Sequence, residues 1–294
     1  MTVDTLAWPT KTREFSNFLM DSTRWNGFEF RDNDIVISTF SKTGTTLVQQ
    51  MVSQLVLGGD PAVYGQAESP WLDFRLTPDA VERAKAQAHR RFMKTHLPLN
   101  ALVFSPKAKY IYIGRDARDI LWSLHHHMMS MTPEARAAFA RLGEGIPQPP
   151  PPDPDVRAFY NGYLDHPMPD TLWSHVQGWW DIRDLPNVLL LHYADLIADI
   201  PGQLRGMAAF LDITIDEARF ADMVAHCSLA HMRKAGAEDP LMNLAFKGGT
   251  QTFINKGTNG RWRDVLSQAE IDKCDEIAAR ELTPDCAAWL RHDA

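Results

Sequence analysis

The chain has little cysteine, no long apolar run and no surplus of positive charge. Only three of its 294 residues are cysteine, Cys227, Cys274 and Cys286, an odd number without metal-type spacing. Reduced thiols in a cytoplasmic setting are therefore expected in preference to a disulfide framework. The longest purely aliphatic stretch, Val188 to Leu191, is far shorter than the ~20 residues a bilayer-spanning helix needs. Residues 1–11 hold Asp4 and Pro9 and no apolar segment of the secretory type, so neither export nor membrane insertion is expected. The formal net charge of −7 argues against nucleic acid or another polyanion held by bulk electrostatics, so any bound phosphate must meet a local cluster of cations. There is no internal repeat, and only Gly143 to Asp155 (GEGIPQPPPPDPD) is of low complexity.

What is present is an ordinary globular composition, 45% hydrophobic and 23% charged, which suits a folded enzyme and argues against disorder. Short apolar runs alternate with amphipathic stretches, a rhythm that predicts an α/β fold with a central parallel β-sheet flanked by helices on both faces. Strands are expected at Ile35 to Phe40, Phe92 to Thr95, Tyr110 to Gly114 and Val188 to His192. Helices are expected at Thr45 to Leu57, Asp119 to Met129, Pro201 to Leu211, Ile215 to His226 and Gln268 to Leu282. One domain is expected to span 1–294, with the proline-rich segment crossing its surface either as an inert loop or as a lid over an acceptor pocket.

Two clusters carry the chemistry. In Ser41-Lys42-Thr43-Gly44-Thr45-Thr46 a strand turns through glycine into a helix, which leaves backbone N–H groups unpaired at the positive end of the helix dipole, a ready anion site. A kinase or ATPase would place Gly-Lys-Ser/Thr at the end of such a loop, whereas here Thr45 stands in that lysine's place and the cation is Lys42. The second cluster is Arg115-Asp116-Ala117-Arg118-Asp119 after the strand YIYIG, with Ser123 two helical turns on. Arg115 and Ser123 at a strand's carboxyl end suit a second phosphate. A helix-capping turn for the first and a solvated salt-bridge cluster for the second are the alternatives.

These blocks resemble the sulfotransferases that use 3′-phosphoadenosine 5′-phosphosulfate (PAPS). Phe40 to Thr46 looks like that family's 5′-phosphosulfate loop, and Tyr110 to Ser123 like its 3′-phosphate strand and helix. Lys256-Gly257-Thr258-Asn259-Gly260-Arg261-Trp262-Arg263 is similar to its C-terminal Lys-Gly…Gly-x-Trp loop. Lys94-Thr95-His96-Leu97-Pro98 matches the block with the catalytic histidine, and His192-Tyr193-Ala194-Asp195-Leu196 the strand end with an adenine-contacting tyrosine. The resemblance runs from about Ile35 to Leu266, and the ordered set is far more specific than any single block. It implies a P-loop-containing fold and in-line transfer of a sulfuryl group from PAPS to a hydroxyl of a small, partly apolar acceptor, an alcohol, phenol or glycolipid. His96 is then the general base, Lys42 stabilises the leaving nucleotide and Lys94 assists. Lys42, Thr43, Gly44, Thr45 and Thr46 hold the 5′ end, Arg115, Ser123, Asn255, Lys256 and Gly257 the 3′-phosphate, and Tyr193 the adenine. No metal is required.

The chain also departs from the family. Asn255 stands where an arginine often precedes Lys-Gly, Leu47 where a tryptophan packs on adenine, and Cys227-Ser228-Leu229 where Thr-Ser-Phe is frequent. Glu270 lies near the family's dimer motif, but the motif's Thr-Val core is absent, so a dimer is not supported. His125, His126 and His127 are consecutive, and successive helical residues point about 100° apart, so they cannot converge on one ion. Trp8, Phe18, Trp71, Phe74 and Phe139 are candidates for the acceptor pocket, with plain core as the other reading. A P-loop kinase and a non-catalytic nucleotide-binding protein on the same fold are the rival functions. The first lacks its Gly-Lys-Ser/Thr, and the second is expected to lack Lys42 or His96, both of which are here.

Overall fold

The computed structural model describes residues 8–142, 145–146, 150–166 and 171–292. Its centre is a four-stranded parallel sheet in the order β2-β1-β3-β4, where β1 is Ile35–Thr39, β2 is Phe92–Thr95, β3 is Lys109–Gly114 and β4 is Val188–His192. All four predicted strands are found, with β1 ending one residue early. Phe40 leaves the ladder because its carbonyl accepts a bond from the Thr43 hydroxyl at 3.0 Å, which begins the turn.

Alternation along each strand sends side chains to two separate cores. Val36, Tyr110 and Tyr112 pack with Trp173, Val176 and Trp179 of the Leu172–Trp180 helix and with Cys274 and Cys286 of the C-terminal helices. Ile35, Ile37, Ile111 and Ile113 pack on the other face against Val48, Met51, Val52 and Leu55 of the Thr45–Val56 helix and Leu204 and Met207 of the Ile200–Phe210 helix. Burial on both faces requires near-continuous apolar strands, which YIYIG and VLLLH are. The three cysteines are buried and free, and no described helix is long and apolar enough to cross a membrane.

Helix boundaries follow the caps. The helix predicted from Asp119 begins at Ala117 and runs to Ser130, because Asp116 is its N-cap and accepts the Arg118 amide at 2.8 Å. The last long helix, Gln268–Glu281, opens with a Ser267/Glu270 capping box. One helix is shorter than its periodicity suggests. Of Ile215 to His226 only Phe220–His226 is helical, since the Asp216 carboxylate bonds the Ala218 amide at 3.0 Å and the Asp216 carbonyl takes the Arg219 amide, a local turn that competes with the helix.

Candidate active site

The carboxyl ends of β1, β2, β3 and β4 open into one cavity of about 990 Å³. Every sequence block singled out above reaches it. Ser41, Lys42, Gly44, Thr45, Thr46, Lys94, His96, Arg115, Ser123, Tyr193, Asn255, Lys256 and Gly257 all line it. Thr43 does not. It is fully buried with its hydroxyl committed to Phe40, so only its backbone is left for a ligand.

The loop after β1 is built for an anion. The first helical bond runs from the Leu47 amide to the Gly44 carbonyl at 3.0 Å, so the amides of Gly44, Thr45 and Thr46 precede any intrahelical acceptor. Gly44 has φ 111°, and a Cβ there would lie 2.4 Å from a ring carbon of Tyr193. Only glycine fits the turn. Lys42 takes φ 70°, a left-handed conformation rare for a side-chain-bearing residue and a sign of a locally imposed geometry.

His96 follows β2 and is held against the end of β1. Its Nδ1 lies 2.8 Å from the Thr39 carbonyl and 2.9 Å from the Thr39 hydroxyl, which in turn is 2.8 Å from the Thr45 hydroxyl. A carbonyl only accepts, so Nδ1 carries the proton and Nε2 keeps its lone pair. Burial, with Lys94 beside it, holds the imidazole pKa well below its ordinary value, so the ring is neutral and basic at physiological pH. Trp71 meets the ring edge-on at 4.7 Å and orients it.

The lysines are just as constrained. Lys94 sits over the Trp71 ring at 4.6 Å, and burial lowers its pKa to about 8 against the pull of Asp73, a buried carboxylate that accepts from the indoles of Trp71 (2.7 Å) and Trp25 (3.0 Å). Lys42 lies over Phe253 at 5.0 Å with His127 Nδ1 3.3 Å from its Nζ. Burial first, then the charges of Arg115 and Lys94, lower its pKa to about 7. This end of the cavity holds more positive charge than its own carboxylates neutralise.

Arg115 is only 6% exposed and ties three blocks together. It donates to the Lys42 carbonyl (2.9 Å), the Thr258 carbonyl (3.1 Å) and the Asn259 side chain (3.0 Å), and it lies over the Tyr193 ring at 4.3 Å. Tyr193 then donates to the Gly257 carbonyl at 3.2 Å. The C-terminal loop is also pinned by the Gly260 amide on Asp119 (2.7 Å) and by Trp262, whose ring carries the guanidinium groups of Arg118 (4.3 Å) and Arg263 (4.7 Å).

Phe18, Trp71, Phe74 and Phe139 line the rest of the cavity with Phe246 and Phe253, as the aromatic candidates required. Trp8 does not. It is 40% exposed and packs on Phe104. Pro150, Pro151 and Pro152 reach the cavity, while residues 143–144 and 147–149 of the proline-rich segment lie outside the described residues. The three consecutive histidines diverge: His125 Nε2 is 2.9 Å from the Asp153 carbonyl, His126 Nε2 is 3.4 Å from that of Thr252, and His127 meets Lys42. Away from the cavity, His192, Asp195 and His292 cluster at ligand-like distances, but His192 already uses one nitrogen on the Leu290 carbonyl and the other on the Ala194 amide.

Sequence reading did not single out Thr39, Asp73, Asn259 or Arg261 as site residues, although the last two stand in the C-terminal loop it named. Thr39 carried a signal, as the last strand residue before the loop. Arg261 lines the cavity near enough to Arg115 to add to the lowering of its pKa that burial chiefly causes, placing a cation at the end where Asn255 lacks one. Arg233, the other cation close by, is committed to the carbonyls of Ile254 and Asn255.

Known proteins place this arrangement. The pattern of the sulfotransferase domain matches residues 32–284. A glycolipid sulfotransferase of Mycobacterium bovis (strain BCG / Pasteur 1173P2) is 32% identical, over 94% of this chain and 93% of its own length. Human sulfotransferase 1C2 is 27% identical over 87% and 85%. The fold is that of mouse sulfotransferase SULT7A1 complexed with PAP (TM-score 0.71, 20% identity, 93% of each chain) and of retinol dehydratase in a complex with retinol and PAP (TM-score 0.70, 20% identity, 89% and 84%). The chain belongs to the sulfotransferase family, with the P-loop-containing fold of its members and the activity of a PAPS-dependent sulfotransferase.

Proposed function

We propose that the whole 1–294 chain acts as one domain that transfers the sulfuryl group of PAPS to a hydroxyl of a small, partly apolar acceptor, with a glycolipid as the leading class. The observation that carries this reading is the convergence of Lys42, Lys94 and Arg115 on a cavity where His96 is neutral. Buried cations that lack counter-charges gain most when a polyanion supplies them. The residues fit the donor. Gly44 to Thr46 offer amides in a turn that a Cβ would block, and Arg115, Ser123, Lys256 and Arg261 border the same cavity. Bound there, PAPS supplies the sulfuryl group.

The chain's own residues do the rest. His96 takes the acceptor's proton at Nε2, while Thr39 holds Nδ1–H and so fixes the tautomer. Lys42 brings positive charge to the 5′ loop, where negative charge grows on the departing nucleotide, and Lys94 adds to it. Arg115, with one N–H of each of its three nitrogens donated to protein acceptors and two N–H groups left over, shapes the 3′ pocket by holding the loop as much as by its charge. Tyr193 borders the adenine. Phe18, Trp71, Phe74 and Phe139 receive the apolar body of the acceptor and exclude water, and Pro150 to Pro152 cover it. The glycolipid class rests on the size and aromatic lining of the cavity and on the mycobacterial relative.

The test is a comparison of thermal stabilisation by 3′-phosphoadenosine 5′-phosphate (PAP) and by ATP, followed by labelled sulfate transfer to alcohols, phenols and glycolipids. Stabilisation by PAP well beyond ATP, with labelled product, is expected. Equal stabilisation by ATP would favour the kinase reading instead.

A further inference from the structure

His127 is half-buried and lines the cavity. Its ring packs on Phe246 (4.8 Å) and Phe253 (5.9 Å), and its Nδ1 is 3.3 Å from Lys42 Nζ. With an anionic donor in place Lys42 is an ammonium, which has hydrogens to give and no lone pair. Nδ1 must then accept, and the imidazole proton sits on Nε2. Among the described residues no group hydrogen-bonds Nε2, and the residue lines the cavity. His126 cannot share the task, because its Nε2 turns to the Thr252 carbonyl. Phe246 and Phe253 flank the ring, so an apolar acceptor seated against them displaces water from Nε2–H and leaves an oxygen of that acceptor to receive it.

We infer that His127 is a specificity-determining residue that anchors Lys42 through Nδ1 and donates Nε2–H to a second oxygen of the acceptor, close to the reacting hydroxyl. The acceptor class is therefore a sugar or vicinal diol with an apolar tail rather than a simple alcohol. This deepens the sulfotransferase reading above and rests on it.

Calorimetric titration of the PAP-saturated full chain with octane-1,2-diol and 1-octanol tests it. The diol is expected to bind about five- to tenfold more tightly, the scale of one hydrogen bond. The preference should survive in His127→Gln, whose amide N–H reaches the Nε2 position. It should vanish in His127→Asn and His127→Phe, which carry no donor there. Stabilisation by PAP certifies that each variant is folded. No preference in the wild type, or an undiminished one in His127→Phe, overturns the inference. Labelled sulfation of both alcohols without a preference leaves the sulfotransferase reading standing while this inference fails. If PAP binds and neither these alcohols nor the phenols and glycolipids above are sulfated, the hydroxyl-acceptor reading falls and takes the inference with it.

Discussion

At the scale of single residues the site is a set of groups held in states they would not adopt in water. His96 is neutral because it is buried beside a lysine, and its proton lies on Nδ1 because a carbonyl faces that atom. His96→Ala is expected to fold, to be stabilised by PAP and to lose about 10²- to 10⁴-fold in kcat. Lys42→Ala is expected to lose about 10²- to 10³-fold through the missing charge. Normal turnover in either variant would refute its role. Lys42 and Lys94, lowered to about 7 and about 8, are partly deprotonated in the free protein. An anion at the 5′ loop raises both values, so its binding takes up protons. The dissociation constant of PAP should thus rise as pH increases through 7 and 8, and calorimetry in buffers of different ionisation enthalpy should register the uptake. A flat profile would mean that these lysines do not face the nucleotide. His96, Lys42 and Lys94 were readable from their motifs. The contacts of His127 with Lys42 and of Thr39 with His96 were not, because they join atoms 85 and 57 residues apart in sequence.

At the scale of elements the cradle is a joint between the Ala117–Ser130 helix and the loop of residues 255–263. Arg115 and Asp119 bond the loop backbone, and Arg118 and Arg263 both lie over Trp262, which is 5% exposed. Trp262→Ala removes a buried aromatic worth roughly 3–5 kcal/mol and frees the loop. It should lower both the melting temperature and PAP affinity, whereas Arg263→Ala, which leaves Arg118 on the ring, should do less of each. Gly44→Ala places a Cβ 2.4 Å from a Tyr193 ring carbon and should abolish PAP stabilisation. Retained PAP stabilisation would show that the turn can rearrange. The glycine was legible from its strand-turn-helix context. Its contact with Tyr193 was not, since the two blocks are remote in sequence and meet only because β4 lies beside β3.

At the scale of the whole molecule, burial of neutral histidines sets the acid limit. His96, His127, His175 and His192 all have pKa values pulled down chiefly by burial, the last two to about 4 from the ordinary 6.5. The unfolded chain takes up protons between those values and the folded chain does not. Their contribution to stability is therefore complete above the unfolded value and shrinks as pH falls below it. Melting temperature should decline as pH is lowered from about 6.5 toward about 4, and circular dichroism melts across that interval would check it. Glu270, near a family dimer motif, is spent within the chain on Ser267 (2.7 Å) and Arg157 (2.9 Å). By itself the sequence determined the parallel sheet, the anion loop and the order of the donor blocks, because strand periodicity, glycine turns and helix starts are local in the chain. Tertiary structure alone decided which nitrogen of His96 is free, which cations remain unneutralised and which aromatics line the cavity. Those properties belong to surroundings assembled from distant segments, and a linear pattern does not encode the dielectric or the partner that a side chain will meet.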